Sequence, residues 1–289
     1  MVTPQTKPSH ILPDLVEPIN QYINVPLAAI LVGFLKNTSV TPNQVTYASI
    51  FFGLASALCF SQGTVESIAL AGLLLEATLV LDCADGQLAR IKNCSSEWGR
   101  LLDGIAGYIS YLAVVAGILV GLQGHYWSLA VISLITILRA ISYDYFKQFM
   151  TSLVQEGYDW SEKDIQSTFQ KIQGSKSPTA VVYFYYLQFQ QFIFRGKFSS
   201  LQSYSNRSAP NSPTPLLTKD QRDHWYEKVK VLSVFWKWHG PDLVLFLFIL
   251  CALTGTLAVC LKPMAILLTA QLVGTLSAHY FLVRHETFS

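Results

Sequence analysis

Charge is what this sequence has least of. Only 13% of its 289 residues are Asp, Glu, Lys or Arg, against roughly 25% in ordinary soluble domains. Acidic and basic residues nearly balance, for a net charge of +2. That excludes the strongly basic surface of a nucleic-acid partner. Cysteine is scarce and unpaired: Cys59, Cys83, Cys94, Cys251 and Cys260 follow no repeating spacing. An odd, scattered set argues against a disulfide framework and makes no zinc-ligand pattern, so packed or lipid-facing thiols are expected. Lys7 is the only basic residue near the start of the chain, so no cleavable signal peptide is expected.

Apolar residues fill the space that charge leaves. They make up 51% of the chain, and the mean hydropathy is positive. Six segments offer close to the ~20 apolar residues that a membrane-spanning helix needs. They run at about 43–62, 64–90, 97–122, 126–149, 241–261 and 263–284. Short connections at Gly63, Gly124 and Lys262-Pro263 predict helical hairpins. Residues 11–37 are apolar but interrupted by Pro13, Pro18 and Pro26, and Leu27 to Leu35 reads as an interfacial helix.

Between the fourth and fifth spans lies an insert. Ser161 opens a short polar helix that Gly174 is placed to end. Thr179 to Phe194 has no charge but carries Gln188, Gln190 and Gln191, which suits a packed or interfacial helix better than a seventh crossing. Residues 199–215 are Ser/Pro-rich and read as a linker. Thr218 and Gln221 have the spacing of a capping box for a helix reaching about Trp238. The fold class expected is therefore an all-α membrane protein. It has six transmembrane helices, an N-terminal interfacial helix and a helical cytoplasmic insert. Its divisions fall at 1–42, 43–149, 150–238 and 239–289. Among the short loops, one side holds only Lys262, so the positive-inside rule places the opposite side and both termini in the cytoplasm.

The scarce charges gather. Asp82, Asp85, Gly86, Ala89 and Arg90 fall at i, i+3, i+4, i+7 and i+8 and share one helical face. Gly99, Asp103 and Gly107 fall at i, i+4 and i+8 and share another. Ionisable groups beside membrane helices are costly, so such a cluster calls for a function. Carboxylates suit hard cations such as Mg²⁺ or Mn²⁺. Small residues let a ligand approach the backbone, and an arginine pairs with phosphate in two-point fashion. Together they suggest a nucleotide diphosphate held for phosphoryl-type transfer. The competing structural reading pairs Asp82, Asp85 and Asp103 with Arg90 or Arg100. Glu76, deeper in its span, reads as a structural glutamate. His239 and His279, flanking the last pair of spans, read as structural too. Arg139 ends a span and suits either an acceptor phosphate or snorkelling to the interface.

This order of residues resembles the signature of the CDP-alcohol phosphotransferase family, Asp-x-x-Asp-Gly-x-x-Ala-Arg followed by Gly-x-x-x-Asp-x-x-x-Asp. The sequence matches it at Asp82, Asp85, Gly86, Ala89, Arg90, Gly99 and Asp103 and departs from it at Gly107. Residues 41–46, Thr-Pro-Asn-Gln-Val-Thr, are similar to the family's segment before its first span. The resemblance covers residues 10–149 and the last two helices, and says little of 150–238. It implies transfer of a substituted phosphate from a CDP-linked donor to an alcohol acceptor, with CMP leaving. At least one of the two substrates would be a lipid. It further implies two divalent ions at Asp82, Asp85 and Asp103. Gly86, Ala89, Arg90 and Gly99 would line the CDP site, and the protein would be a homodimer.

Gly107 stands where the family's last aspartate serves as a proposed general base and second-metal ligand. A glycine can do neither. General-base help is typically worth ~10²–10⁴ in rate, while electrostatic stabilisation often contributes more. Three explanations compete. A water or a carboxylate from elsewhere substitutes; the acceptor's nucleophile is already ionised; or the protein binds a CDP-linked lipid without turnover.

Overall fold

The structure is a computed structural model that describes residues 15–94, 97–157, 160–175, 178–195 and 218–283; the side chains of 97–105, 156, 160–163, 175, 178–179, 195, 228–229 and 283 lie outside that description. Every regular element among the described residues is helical. A π-helical turn at Asn20–Asn24 leads into α1 (Val25–Leu35). There follow α2 (Pro42–Gln62), α3 (Val65–Ile91), α4 (Glu97–Gly121) and α5 (Tyr126–Glu156). The insert contributes α6 (Trp160–Ser175), α7 (Pro178–Arg195) and α8 (Lys219–Trp236). Last come α9 (Pro241–Leu253) and α10 (Leu257–Val283).

Local chemistry explains several helix starts. Thr41 caps α2: its hydroxyl accepts from the Gln44 amide at 3.3 Å, and Gln44 Oε1 accepts from the Thr41 amide at 2.9 Å. Reciprocal bonds of this kind satisfy two amides that no helical carbonyl can reach. Thr64 with Ser67 does the same for α3. Thr218 with Gln221 does it for α8, as the spacing predicts. In the N-terminal segment the prolines interrupt less than expected. Helix begins before Leu27, with Pro26 in the first turn of α1. There its missing amide is no loss, and the π turn before it takes up the register change.

The chain forms two compact units. One comprises 17–137 and 240–270. Its core joins Phe60, Leu75, Ile118, Ile132, Phe248 and Leu261. Helices α2 and α4 approach closely there. A Cβ at Gly117 would run into the Ala57 carbonyl, so only glycine permits the contact. The other unit comprises 1–16, 138–239 and 271–289. Phe146, Met150, Leu153, Leu232 and Trp236 form its core, with the Phe146 and Trp236 rings stacked at 5.1 Å.

Four helices among the described residues are long and apolar enough to cross a bilayer: α2, α3, α5 and α10. A fifth crossing exists if the end of α8 and α9, bent by 42°, count as one broken span. The described side chains of α4 begin at Ala106, and the apolar stretch counted from there is shorter. The boundary of the last hairpin differs from expectation. It lies at Thr254–Thr256, where Gly255 adopts φ +67°, and not at Lys262-Pro263. Gly255 supplies the left-handed residue that ends a helix at no steric cost, whereas Pro263 sits inside α10. Helix α9 therefore has 13 residues, about 20 Å at 1.5 Å each, short of a ~30 Å hydrocarbon core. The fourth span runs past 149 to Glu156. The 199–215 linker lies outside the described residues.

Candidate functional site at the end of α3

Asp82, Asp85, Gly86, Ala89 and Arg90 all lie on the last turns of α3. Asp85 is buried, 4% exposed, and Asp82 is half-buried. A buried carboxylate needs hydrogen bonds to offset lost hydration. Thr46, on the second turn of α2, supplies one: its hydroxyl lies 2.5 Å from Asp85 Oδ2. The Pro42 carbonyl also lies 3.2 Å from that hydroxyl, but the single proton goes to the closer, charged acceptor. The cap at Thr41 sets the start of α2 and hence the register of Thr46. Sequence reasoning likened 41–46 to the family's segment before its first span but gave Thr46 no role; a hydroxyl one turn into a capped helix was the available signal.

Arg90 is exposed at the end of the helix. The guanidinium folds back toward Gly86, where an added Cβ would lie 3.7 Å from Arg90 Nη1, an ordinary van der Waals contact. Lys92 folds the other way. Its ammonium donates to the carbonyls of Thr38 and Val40 at 2.8 and 2.7 Å, tying the end of α3 to the α1–α2 connection. Beside it opens a cleft of about 340 Å³ whose walls include Thr38, Thr41, Asn43 and Lys92.

Gly99 and Asp103 belong to the first turns of α4, but their side chains lie outside the described residues. Gly107, one turn further, is exposed, and an added Cβ there would meet nothing within 4 Å. The position has room for a side chain and carries none. Among the described residues, no group of three or more His, Cys, Asp or Glu is gathered to hold a metal ion; the third motif carboxylate is outside that set.

Arg139 belongs to the other compact unit. It is completely buried. Its Nη1 donates to Gln271 Oε1 at 2.7 Å, and its Nη2 donates to the Trp238 carbonyl. These bonds join α5 to α10 and to the α8–α9 connection, a set of partners that sequence spacing could not reveal.

Long apolar helices with carboxylates and an arginine at the end of one of them define an integral membrane protein with a polar site at a helix terminus. Comparison with known proteins makes the class specific. The CDP-alcohol phosphatidyltransferase model matches residues 39–193, more than half of the sequence, and the chain belongs to that family. Its members are membrane transferases that use a CDP-linked donor and an alcohol acceptor and generally depend on a divalent metal. Two curated relatives carry the name bifunctional IPC transferase and DIPP synthase. The protein from Thermococcus kodakarensis is 36% identical over 101 residues, 34% of this chain and 21% of its own. That from Archaeoglobus fulgidus is 35% identical over 101 residues, 34% of this chain and 19% of its own. The match thus spans about a fifth of each relative's length.

Proposed function

We propose that this protein transfers a substituted phosphate group from a CDP-linked donor, CDP-diacylglycerol, to an alcohol acceptor in phospholipid biosynthesis, releasing CMP. The observation that carries the reading is Asp85, buried on the motif helix and oriented by Thr46. A buried carboxylate held in one orientation suits ligation of a hard cation. Asp82, Asp85 and Asp103 would hold Mg²⁺ or Mn²⁺, two ions in the family's usual arrangement. Three oxygen-donor side chains fit such ions. When bound, the metal supplies positive charge against the diphosphate.

The chain's own residues do the rest. Arg90 pairs with a diphosphate oxygen. Gly86, Ala89 and Gly99 let the nucleotide lie against the backbone. The acceptor hydroxyl attacks the phosphorus that carries the lipid, the bond to the CMP oxygen breaks, and CMP leaves with that electron pair. The hydroxyl proton passes to water or to an acceptor's own phosphate, since Gly107 has no group to take it. Arg139 is the cation proposed for the acceptor side. The motif and both termini face the cytoplasm, where nucleotides are supplied, six helices cross the membrane, and α1 lies at its surface. The homodimer is likewise a proposal.

Gly107 favours a second reading, a family member that binds CDP-linked lipid without turnover. Metal-dependent CMP release from CDP-diacylglycerol, with a pooled acceptor set, separates the two. Release that needs metal, acceptor and an intact Asp85 (absent in Asp85→Asn) supports the transferase. Metal-dependent binding with no release, also for soluble CDP-alcohols, supports the second reading.

A further inference from the structure

Residues 179–194 of the insert carry no charge, and the structure sorts their side chains against the rule for water. On α7 the amides of Gln188, Gln190 and Gln191 are buried, while Val182, Tyr185, Phe189 and Phe192 are exposed along one stripe. A helix that turns polar groups inward and apolar ones outward suits lipid surroundings. Two contacts fasten α7 to α5. Gln190 Nε2 donates to the Ile141 carbonyl at 3.3 Å, and the Phe194 and Tyr145 rings stack at 4.4 Å. Tyr145 lies roughly 29 Å along α5 from its first residue, Tyr126, at 1.5 Å per residue, close to the ~30 Å thickness of a hydrocarbon core. Leu276 lies the same ~29 Å along α10 from Leu257. Both helices therefore put the end of α7 at the level where lipid chains meet headgroups.

At that level a cavity of about 270 Å³ lies between α7 and α10, with walls that include Ile193, Phe194, Leu276, His279, Tyr280 and Phe281. None of the described residues lining it carries a carboxylate, an ammonium or a guanidinium. Tyr280 and Phe281 are exposed, as is Phe192 next to Ile193. His279 is only 6% exposed, and its Nδ1 has no hydrogen-bond partner in the protein. Such an atom is costly to bury unless a ligand supplies the partner. We propose that this cavity binds an acyl chain of a membrane glycerophospholipid, whose ester carbonyl accepts a hydrogen bond from His279 Nδ1–H. The ester stands where chain meets headgroup, and His279 lies one turn beyond Leu276. Uncharged, mostly apolar walls take a chain and its ester, not a diphosphate. The inference goes beyond the transfer reaction and does not rest on it. Every wall residue belongs to the unit of 138–239 and 271–289, whereas the motif on α3 belongs to the other.

The test uses the full-length protein in detergent with phosphatidylcholine bearing a diazirine on one acyl chain. Peptides labelled by light are mapped as unlabelled phosphatidylcholine is added. The expected result is saturable labelling at Phe192–Phe194 and Leu276–Phe281, competed away by the unlabelled lipid. Leu276→Trp fills the cavity from α10 and Ile193→Trp fills it from α7. Each should cut that labelling at least ~10-fold and leave labelling near Phe51 and Leu58, on the exposed face of α2, unchanged. The two variants, checked by Tm, separate a filled cavity from a misfolded protein. Labelling that does not saturate, or that survives both tryptophans in folded protein, marks ordinary surrounding lipid and overturns the site. The ester contact is read separately. A neutral hydrogen bond predicts that the unsubstituted protein binds diester phosphatidylcholine ~2–10-fold more tightly than its diether analogue, and that His279→Leu binds the two alike. Equal binding of diester and diether by the unsubstituted protein overturns the role of His279.

Discussion

Replacing Thr46 by valine removes one hydroxyl from the site and almost nothing else. The two side chains have nearly the same shape, and Thr46 is 3% exposed, so the change is confined to the bond with Asp85. A hydrogen bond to a charged group is worth ~1.5–3 kcal/mol. If that bond orients Asp85 as a metal ligand, its loss should appear as weaker metal binding. Outer partners of ligands typically account for ~10–100-fold in affinity, and each tenfold corresponds to ~1.4 kcal/mol. The two scales agree: Thr46→Val should weaken Mn²⁺ binding by ~10–100-fold. Thr46→Ser, which keeps the hydroxyl, should lie close to the unsubstituted protein. Mn²⁺ titration followed by calorimetry or electron paramagnetic resonance reads this without catalysis, and the Mg²⁺ dependence of CMP release gives a second readout. Equal affinities in valine and serine variants would refute the argument that Thr46 positions Asp85 for metal.

Other expectations follow from single contacts. Gly107→Asp should fit without strain, since its position is open, and should raise metal affinity or CMP release; no change in either would show that this position is not the vacant ligand site. Gly117→Leu should lower the Tm in detergent, because overpacking costs ~1–3 kcal/mol and its Cβ meets the Ala57 carbonyl, whereas Gly107→Ala should leave the Tm equal or higher. Arg139→Met leaves the Gln271 and Trp238 acceptors without their guanidinium and should cost ~1–3 kcal/mol per unsatisfied buried group. A rise in acceptor KM in Arg139→Lys at unchanged Tm would mark a separate role in acceptor binding.

Much of the site was legible because it is local. The i, i+3, i+4, i+7 and i+8 spacing from Asp82 to Arg90 needs only a helix to become one face, and α3 provides it. The Thr218 cap was legible for the same reason: its partner Gln221 is three residues away. Thr46 was not, because its bond to Asp85 spans 39 residues and depends on how α2 rotates against α3. Gly107 sits between these cases. Its lack of a carboxylate is plain in the sequence, but that its surroundings are open required coordinates.

By itself, then, the sequence determined that this is a membrane-embedded helical protein with an acidic motif at a helix end. Scarce charge, apolar length and short-range spacing are properties of contiguous residues, and backbone hydrogen bonding in lipid leaves a contiguous apolar segment few conformations other than helix. Tertiary structure alone decided which residues meet. It put Thr46 on Asp85, Gly117 on the α2 backbone, and Arg139 on Gln271 and Trp238. It also moved the last hairpin from Pro263 to Gly255. The physical reason is common to all of them. A helix's own hydrogen bonds fix its form, but its rotation and depth against its neighbours come from packing summed over the whole unit, and no local run of residues carries that sum.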